Sequence, residues 1–469
     1  MKMKAVYRDL FIILLIVFAT RVPFIFDGYG VEEDSWGLVV NAHEMHESGE
    51  YRASRFPGHP VQEYVYSFAH TAPAWVWNLM STIMSAAAVV FFHLALRKMK
   101  LNTAWPVTLM LSFTPVFFLA GTYTIDYAWT LAFVTGSFWL LCERKYWLSG
   151  ILLGFAVGCR ITTGMFVLPW LLLLWNRMDP AGSIKLWLRI ALPATVIGIL
   201  WFVPAYLVYG RAFFDYSDQF PYPPLAKVIY KASIGVFGLA GIVGLLYTAV
   251  AGFRNFRRGN VQGTVLFTER QLLYACAVIV VLHIVSYLRL PQKAGYMLPM
   301  VPWLLLAGGM LLTVKQSRIA AALFIIAPFL FSINLTDPMR GSEASPMAIK
   351  FEAAGQEIFL DPLSGPAQSE RSKRLNKMAY CNRIMAATDT LTSPALLICG
   401  WWYNELITEH YTRPKSEMVS YRFYETCEVL DSARRAGARI YYLSEQNLYN
   451  DQMFGQQCTD SLAQPFPVN

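Results

Sequence analysis

The chain has 469 residues, of which 55% are hydrophobic and only 15% charged, with a formal net charge of +8. Its apolar residues fall in long runs instead of at amphipathic spacing, which excludes a soluble globular enzyme and indicates a membrane protein. The positive excess is not a nucleic-acid signature, because the basic residues lie mainly in short connections between the runs, where they set topology.

In chain order, apolar runs at 10–26, 74–96, 104–120, 127–142, 189–209, 232–252, 271–287, 295–314 and 319–335 approach the roughly 20 residues that cross a bilayer. The first follows Lys2, Lys4 and Arg8, and Arg21, Pro23 and Phe24 stand where a small-residue cleavage site would be, so it is expected to stay as an uncleaved first span. The stretch 147–175 is too long for one ordinary span and is interrupted by Arg160, Thr162 and Thr163, so two short helices are expected to meet at Arg160. The fold class expected is a polytopic α-helical membrane protein of about eleven spans with a small extracytoplasmic α/β C-terminal domain. Residues 1–335 form the membrane module, including a first outer loop at 27–73, and residues 336–469 form the outer domain.

With the N-terminus inside, Arg97, Lys98, Lys100, Arg144, Lys145, Arg177, Lys185, Arg254, Arg257, Arg258, Arg270, Lys315 and Arg318 fall in cytoplasmic connections, whereas the opposite turn 121–126 has no basic residue. The pieces large enough for chemistry, 27–73, 210–231 and the C-terminal segment, then share one side. In the first loop, 35–48 reads as an amphipathic helix on the membrane surface, with Gly49 as its C-terminal cap. Arg55-Phe-Pro-Gly-His-Pro60 forces a turn before a second surface helix at 61–68.

In the C-terminal segment, 395–399 and 439–443 are strand-like and 427–436 is helical. Cys381, Cys399, Cys427 and Cys458 are an even set on an oxidising face, so two disulfides are expected there. Cys142, Cys159 and Cys276 lie in or beside spans and are expected to pack as small apolar residues. No phosphate loop or zinc-finger spacing is present, and His43-Glu-Met-His46 lacks the i, i+4 histidine pair of a zinc protease. ATP-driven transport thus has no support in the sequence, and zinc proteolysis is rejected.

The chemistry concentrates at the outer boundary. Asp27, Glu32, Glu33 and Asp34 follow the first span directly. Partial desolvation and mutual repulsion raise carboxylate pKa values and suit such a group to act as a base, although the same residues also suit the N-terminus of the next helix. Asp126, in the short outer turn, is either a helix cap or a member of the same site. An ionisable group at membrane depth faces protein or a wet cavity, so Arg160 needs an anion: the phosphate of a lipid substrate or Asp126. Arg289 and Lys293 stand outside against the positive-inside trend, where either a phosphate or lipid headgroups would engage them.

Arg21 at the end of the first span, the acidic motif containing Asp34, Asp126 in Thr-Ile-Asp-Tyr, and Tyr296-Met-Leu-Pro299 opening a late span occur in this order and on one side. Together they make residues 7–313 resemble the GT-C glycosyltransferases, in particular the protein O-mannosyltransferase and lipid A aminoarabinose-transferase branch. The resemblance implies transfer of a sugar from a polyprenyl- or dolichyl-phosphate donor to an acceptor hydroxyl on a glycan, lipid or protein, by a single inverting displacement. Asp34 would be the base, with Glu33 as the alternative because Ser35 follows Asp34 where the family often has Glu. Asp126 would assist, Arg160, Lys293, Arg289 and Tyr296 would hold the donor phosphate, and Arg55 and His59 would belong to a substrate loop. Related enzymes sometimes use a divalent cation, which leaves the metal open; no other cofactor is expected. The site would face the exterior or periplasm, most simply in a bacterial inner membrane. A transporter or flippase of a lipid-linked sugar competes with this reading, but the halves show no internal symmetry.

Overall fold

A computed structural model describes residues 3–213, 222–335, 347–353, 356–412, 418–443 and 463–467. Among these, five helices are long and apolar enough to cross a membrane: Ala74–Lys98, Pro180–Phe213, Ile234–Arg257, Glu269–Arg289 and Ala294–Leu311. This corrects the expectation of about eleven spans. An apolar run is not always one helix. The run 104–120 breaks at Thr114, where Pro115 takes the first position of a new helix, giving α5 (Ala104–Ser112) and α6 (Pro115–Ala120). The first run lies in α1 (Met3–Arg21), which also carries Lys4, Arg8 and Asp9 and stops before Pro23. The last run yields only α15 (Val314–Ile326). Tyr127–Cys142 (α7), Tyr146–Cys159 (α8) and Ile161–Leu174 are apolar but shorter.

The break within 147–175 falls where Arg160 interrupts the apolar stretch. Arg160 is extended (φ −157°, ψ 112°), and Thr163 donates its side-chain hydroxyl to the Arg160 carbonyl at 2.8 Å as a 3-10 turn leads into α9 (Val167–Leu174). Local chemistry sets other helix starts. Thr268 and Gln271 form a capping box at α13 (Glu269–Arg289), and Asp179 caps α10 (Pro180–Tyr209), with Pro180 at the first position.

Gly150, Gly154 and Gly158 recur every fourth residue on α8 and let α10 approach closely. A Cβ on Gly150 would lie 2.3 Å from the Ile190 carbonyl oxygen, and one on Gly154 would lie 2.7 Å from Ile197 Cβ. At the end of this stripe, a Cβ on Gly158 would come within 2.6 Å of Val61 in α3 (Pro60–Phe68), so the last glycine seats the first loop on the bundle.

The first loop departs from a surface arrangement. Its helix α2 (Glu33–Ser48) ends, as expected, on Gly49 at φ 70°, but Trp36, Leu38, Val39, Ala42 and Met45 are buried. It packs between α3 and α17 (Tyr403–Thr412) instead of floating on lipid.

In the C-terminal region, β4 (Ala395–Ile398) pairs in parallel with β5 (Val419–Arg422) and with β6 (Arg439–Tyr442), and α18 (Cys427–Arg435) precedes β6. A second sheet pairs β3 (Gln356–Asp361) antiparallel with β1 (Ser332–Leu335) and β2 (Ile349–Ala353). The expectation of two disulfides fails. Cys381 and Cys399 are thiols in the apolar core beneath the parallel sheet, Cys427 is disulfide-bonded, and Cys458 lies outside the described residues. Cys142, Cys159 and Cys276 are buried thiols, in keeping with packing roles.

Candidate functional site

The chain leaves α1 through Gly28 (φ 78°), a backbone conformation that favours glycine, and Asn78 donates to the Ile25 and Gly28 carbonyls at 2.8 Å each to hold this turn. That places Glu32, Glu33 and Asp34 at the start of α2. Glu32 occupies the cap position without a side-chain capping bond, and the partly exposed Asp34 carboxylate is engaged by two cations. Its carboxylate accepts from Arg55 at 2.5 Å and from the Lys293 ammonium. Lys293 also donates to Glu32 at 3.0 Å. Arg55 reaches Asp126 with its other terminal nitrogen, and Asp126 accepts from Arg160 Nε and Nη2 at 3.0 and 2.8 Å. Four charges thus alternate in a chain, Asp34–Arg55–Asp126–Arg160, with Lys293 closing the open end.

Exposure grades along this chain. The Asp126 side chain is 1% exposed and that of Arg160 10%, whereas those of Asp34 and Lys293 are 20% and 24% exposed. The Arg160 guanidinium lies between the Tyr127 and Tyr296 rings, 4.8 Å from each centroid, so aromatic faces and a carboxylate share its charge. Of the two partners left open for Arg160 by the sequence, the described structure supplies Asp126.

His59 orients Arg55. Arg55 Nε donates to His59 Nε2 at 2.9 Å, while His59 Nδ1 stands 2.6 Å from the Cys159 carbonyl oxygen. Both contacts suit the neutral ring protonated on Nδ1, and burial beside Arg55 and Arg160 pushes the His59 pKa down to about 4. Glu63, which sequence reasoning passed over, fixes the loop from below. Its carboxylate accepts from Tyr51 at 2.6 Å, from the Ser54 amide and hydroxyl at 2.8 and 2.7 Å, and from the His59 amide at 2.9 Å. An acid in the first turn of the short α3 was the available signal.

Burial alone would raise both site carboxylates, but cations outweigh it. Arg55 and Lys293 bring Asp34 down to about 2, and Arg160 and Arg55 hold Asp126 well below the usual carboxylate range. Asp34 and Lys293 favour one another's charged forms, so Lys293 is held above its ordinary value despite burial.

Glu33 belongs elsewhere. It faces Asn404 of α17 at 3.4 Å, and burial with the nearby Glu405 and Asp34 charges raises its pKa to about 8. This side carries a latch that the sequence did not advertise. On α16 (Pro366–Asp389), Lys377 donates to Glu405 and, at 2.8 Å, to the Val31 carbonyl, while Arg374 donates to the Phe24 and Thr122 carbonyls at 3.1 Å each. The C-terminal region is therefore pinned to the loop and turn that carry Asp34 and Asp126.

A cavity of about 200 Å³ opens beside the network. Arg55, His59, Arg160, Arg289 and Tyr296 line it, so it presents three guanidinium groups and a phenol. Such a wall suits phosphate, whose oxygens accept from guanidinium forks. The donor set does not fit a metal ion: Arg55 bridges the two carboxylates, and among the described residues no group of three or more His, Cys, Asp or Glu is arranged to hold one. Asp34, Asp126, Arg55, His59, Arg160, Arg289, Lys293 and Tyr296 are thus brought to one place, and Glu33 is not. No known protein family, curated protein or solved structure matches the chain.

Proposed function

We propose that this integral-membrane protein is a glycosyltransferase that moves a sugar from a polyprenyl-phosphate donor to an acceptor hydroxyl. The observation that carries the reading is the partly exposed Asp34, tied through Arg55 to a small cavity walled by Arg55, Arg160 and Arg289. An acid able to take a proton and cations able to receive a departing phosphate are what a single displacement requires. The acceptor oxygen attacks the anomeric carbon and gives its proton to Asp34. The bond from that carbon to the phosphate oxygen breaks, its electron pair leaves with the lipid phosphate, and the anomeric centre inverts.

In the resting network Asp34 is a weak base, because Arg55 and Lys293 both face it. A donor phosphate that shares Arg55 and Lys293 removes positive charge from Asp34 and raises its proton affinity, so donor binding prepares the base. Asp126 holds Arg55 and Arg160 in place for the phosphate. The reading places this end of the bundle on the exterior or periplasmic face of a bacterial inner membrane, because the basic connections lie at the other end. It assigns recognition of a glycan, lipid or protein acceptor to residues 336–469, whose α16 and α17 pack over Asp34's helix and its approach.

The test is incubation of the purified full-length chain, in detergent or liposomes, with a polyprenyl-phosphate sugar and candidate acceptors. Glycosylated acceptor and free polyprenyl phosphate in equal amounts are expected. Movement of intact donor across a liposome bilayer without release of polyprenyl phosphate would instead identify a transporter.

A further inference from the structure

The end of the bundle away from Asp34 carries a larger cleft, of about 1240 Å³, between the last turns of α7 and α9 and the first turns of α8, α10 and α13. Arg144, Arg177, Lys185, Arg189 and Arg270 line it, against one carboxylate, Asp179. That carboxylate is engaged in capping α10, accepting from the Gly182 amide at 2.8 Å. The nearby Glu143 is taken by Lys98, also at 2.8 Å. Among the described residues, none of the five cations makes a side-chain hydrogen bond or an ion pair. Five such charges around one cleft repel one another and concentrate anions.

The walls between the cations are not those of a site for a soluble anion. Leu172, Leu174, Leu186 and Leu266 line the cleft, and Tyr146, Trp175 and Tyr274 stand at the same level, where aromatic rings mark a membrane interface. From the cleft, Ile184, Leu188 and Leu192 form an exposed apolar stripe at every fourth residue of α10, and Val281 and Val285 are exposed on α13. The cleft is therefore a cationic mouth continuous with apolar helix faces. Gln271 bridges it, donating to the Trp175 carbonyl at 2.5 Å, so the start of α13 and the end of α9 are held together as one frame.

We propose that this cleft binds the headgroup of an anionic phospholipid carrying two phosphates, with its acyl chains along the apolar faces of α10 and α13. Basic pockets between membrane helices suit such headgroups. Two phosphates answer five cations better than one does, and the apolar stripes give the chains a place that a soluble polyphosphate would leave bare. The site is separate from the cavity at Arg160 and Arg289, and the inference does not depend on the reaction assigned there.

Native mass spectrometry of the delipidated full-length protein in neutral detergent tests it. A four-chain, two-phosphate phospholipid should be retained at one per protein, at concentrations at least about tenfold below those needed for a one-phosphate glycerophospholipid, with a phosphocholine lipid not retained. At roughly fivefold per cation near an anionic headgroup, the triple variant Arg177→Gln, Lys185→Gln, Arg189→Gln should weaken retention by about 100-fold. A control variant with Arg254→Gln, Arg257→Gln and Arg258→Gln, outside the cleft, should retain the lipid as the unaltered protein does. Equal retention of all three lipids by the unaltered protein would overturn the proposal whatever the variants do. So would equal losses in the two triple variants, or displacement of the lipid by millimolar pyrophosphate, which would assign the cleft to a soluble phosphate compound.

Discussion

The two ends of the helical bundle handle positive charge in opposite ways. Around Asp126, buried arginines are matched by carboxylates within hydrogen-bond reach, and every change of sign along Asp34–Arg55–Asp126–Arg160 is a direct contact. At the other end, Arg144, Arg177, Lys185, Arg189 and Arg270 share a cleft whose one carboxylate is engaged in a helix cap. The difference follows from solvation. A buried charge without a partner costs several kcal/mol, whereas an exposed one keeps its water and needs none. Pairing at the first end is thus a condition of folding, and crowding at the second is tolerated by folding and left for a ligand to relieve.

This contrast can be broken by substitution. The largest effect on stability is expected at Asp126→Ala, which leaves Arg160 and one arm of Arg55 without their carboxylate. Removing one partner of a buried pair costs about 3–5 kcal/mol, so a clear fall in the thermal midpoint in detergent is expected, together with loss of transfer. A midpoint equal to that of the unaltered protein would mean that water already screens this network. Gly158→Leu should come next. It drives a branched side chain into Val61 and Trp201, at about 1–3 kcal/mol for overpacking, and by lifting α3 it should lower activity with Asp34 and Arg55 both intact. At the cationic end, Arg177→Gln should change stability by no more than about 0.5 kcal/mol. A larger loss there would show that the cleft's charges support the fold.

A pH titration sharpens the comparison between neighbours on α2. Glu33 keeps its proton in the folded chain up to about pH 8, whereas an unfolded chain releases it near the ordinary carboxylate value. Between those limits the folded state binds more protons, so its Glu33 contribution to stability is present at low pH and is lost as pH rises toward about 8. Glu33→Gln should flatten this slope in thermal melts run across the window. Asp34, drawn down to about 2, has the opposite sign: its contribution is present above the ordinary carboxylate range and fades only as pH falls toward 2. An unchanged slope in Glu33→Gln would show that Glu33 is not the group that titrates in this window.

Much of the site was legible because charge is conspicuous in an apolar chain. Arg160 interrupting 147–175, and Asp34, Asp126 and Lys293 at the ends of runs, needed no long-range information to be singled out. Their pairing did: that Arg160 meets Asp126, and that Glu33 and Asp34 part company, depends on the tilt of one helix turn and on which elements pack against each side. Glu63 and Lys377 escaped notice because each sits in a segment of ordinary polarity, and only the fold shows four donors around one and a buried acid beside the other.

The span count failed for a physical reason visible in hindsight. Hydropathy measures how much of a run prefers lipid, but helix length is set by breaks such as Thr114-Pro115, which cost the composition nothing, and the two helices expected to meet at Arg160 are each short of a full span. The Gly150-x-x-x-Gly154-x-x-x-Gly158 stripe was equally available in the sequence. It carries the close approach of α8 and α10 and the seating of the first loop.

Transfer by the Asp34→Asn protein measures the central claim most directly. Asparagine keeps the shape and the ability to accept from Arg55 while removing proton acceptance, and the position is partly exposed, so the protein should fold, insert and retain donor. With a polyprenyl-phosphate sugar in liposomes, transfer is expected to drop by roughly 10²–10⁴-fold, the span associated with general acid–base catalysis, while donor affinity stays within a few fold of the original. Full transfer by a well-folded Asp34→Asn protein would contradict the account.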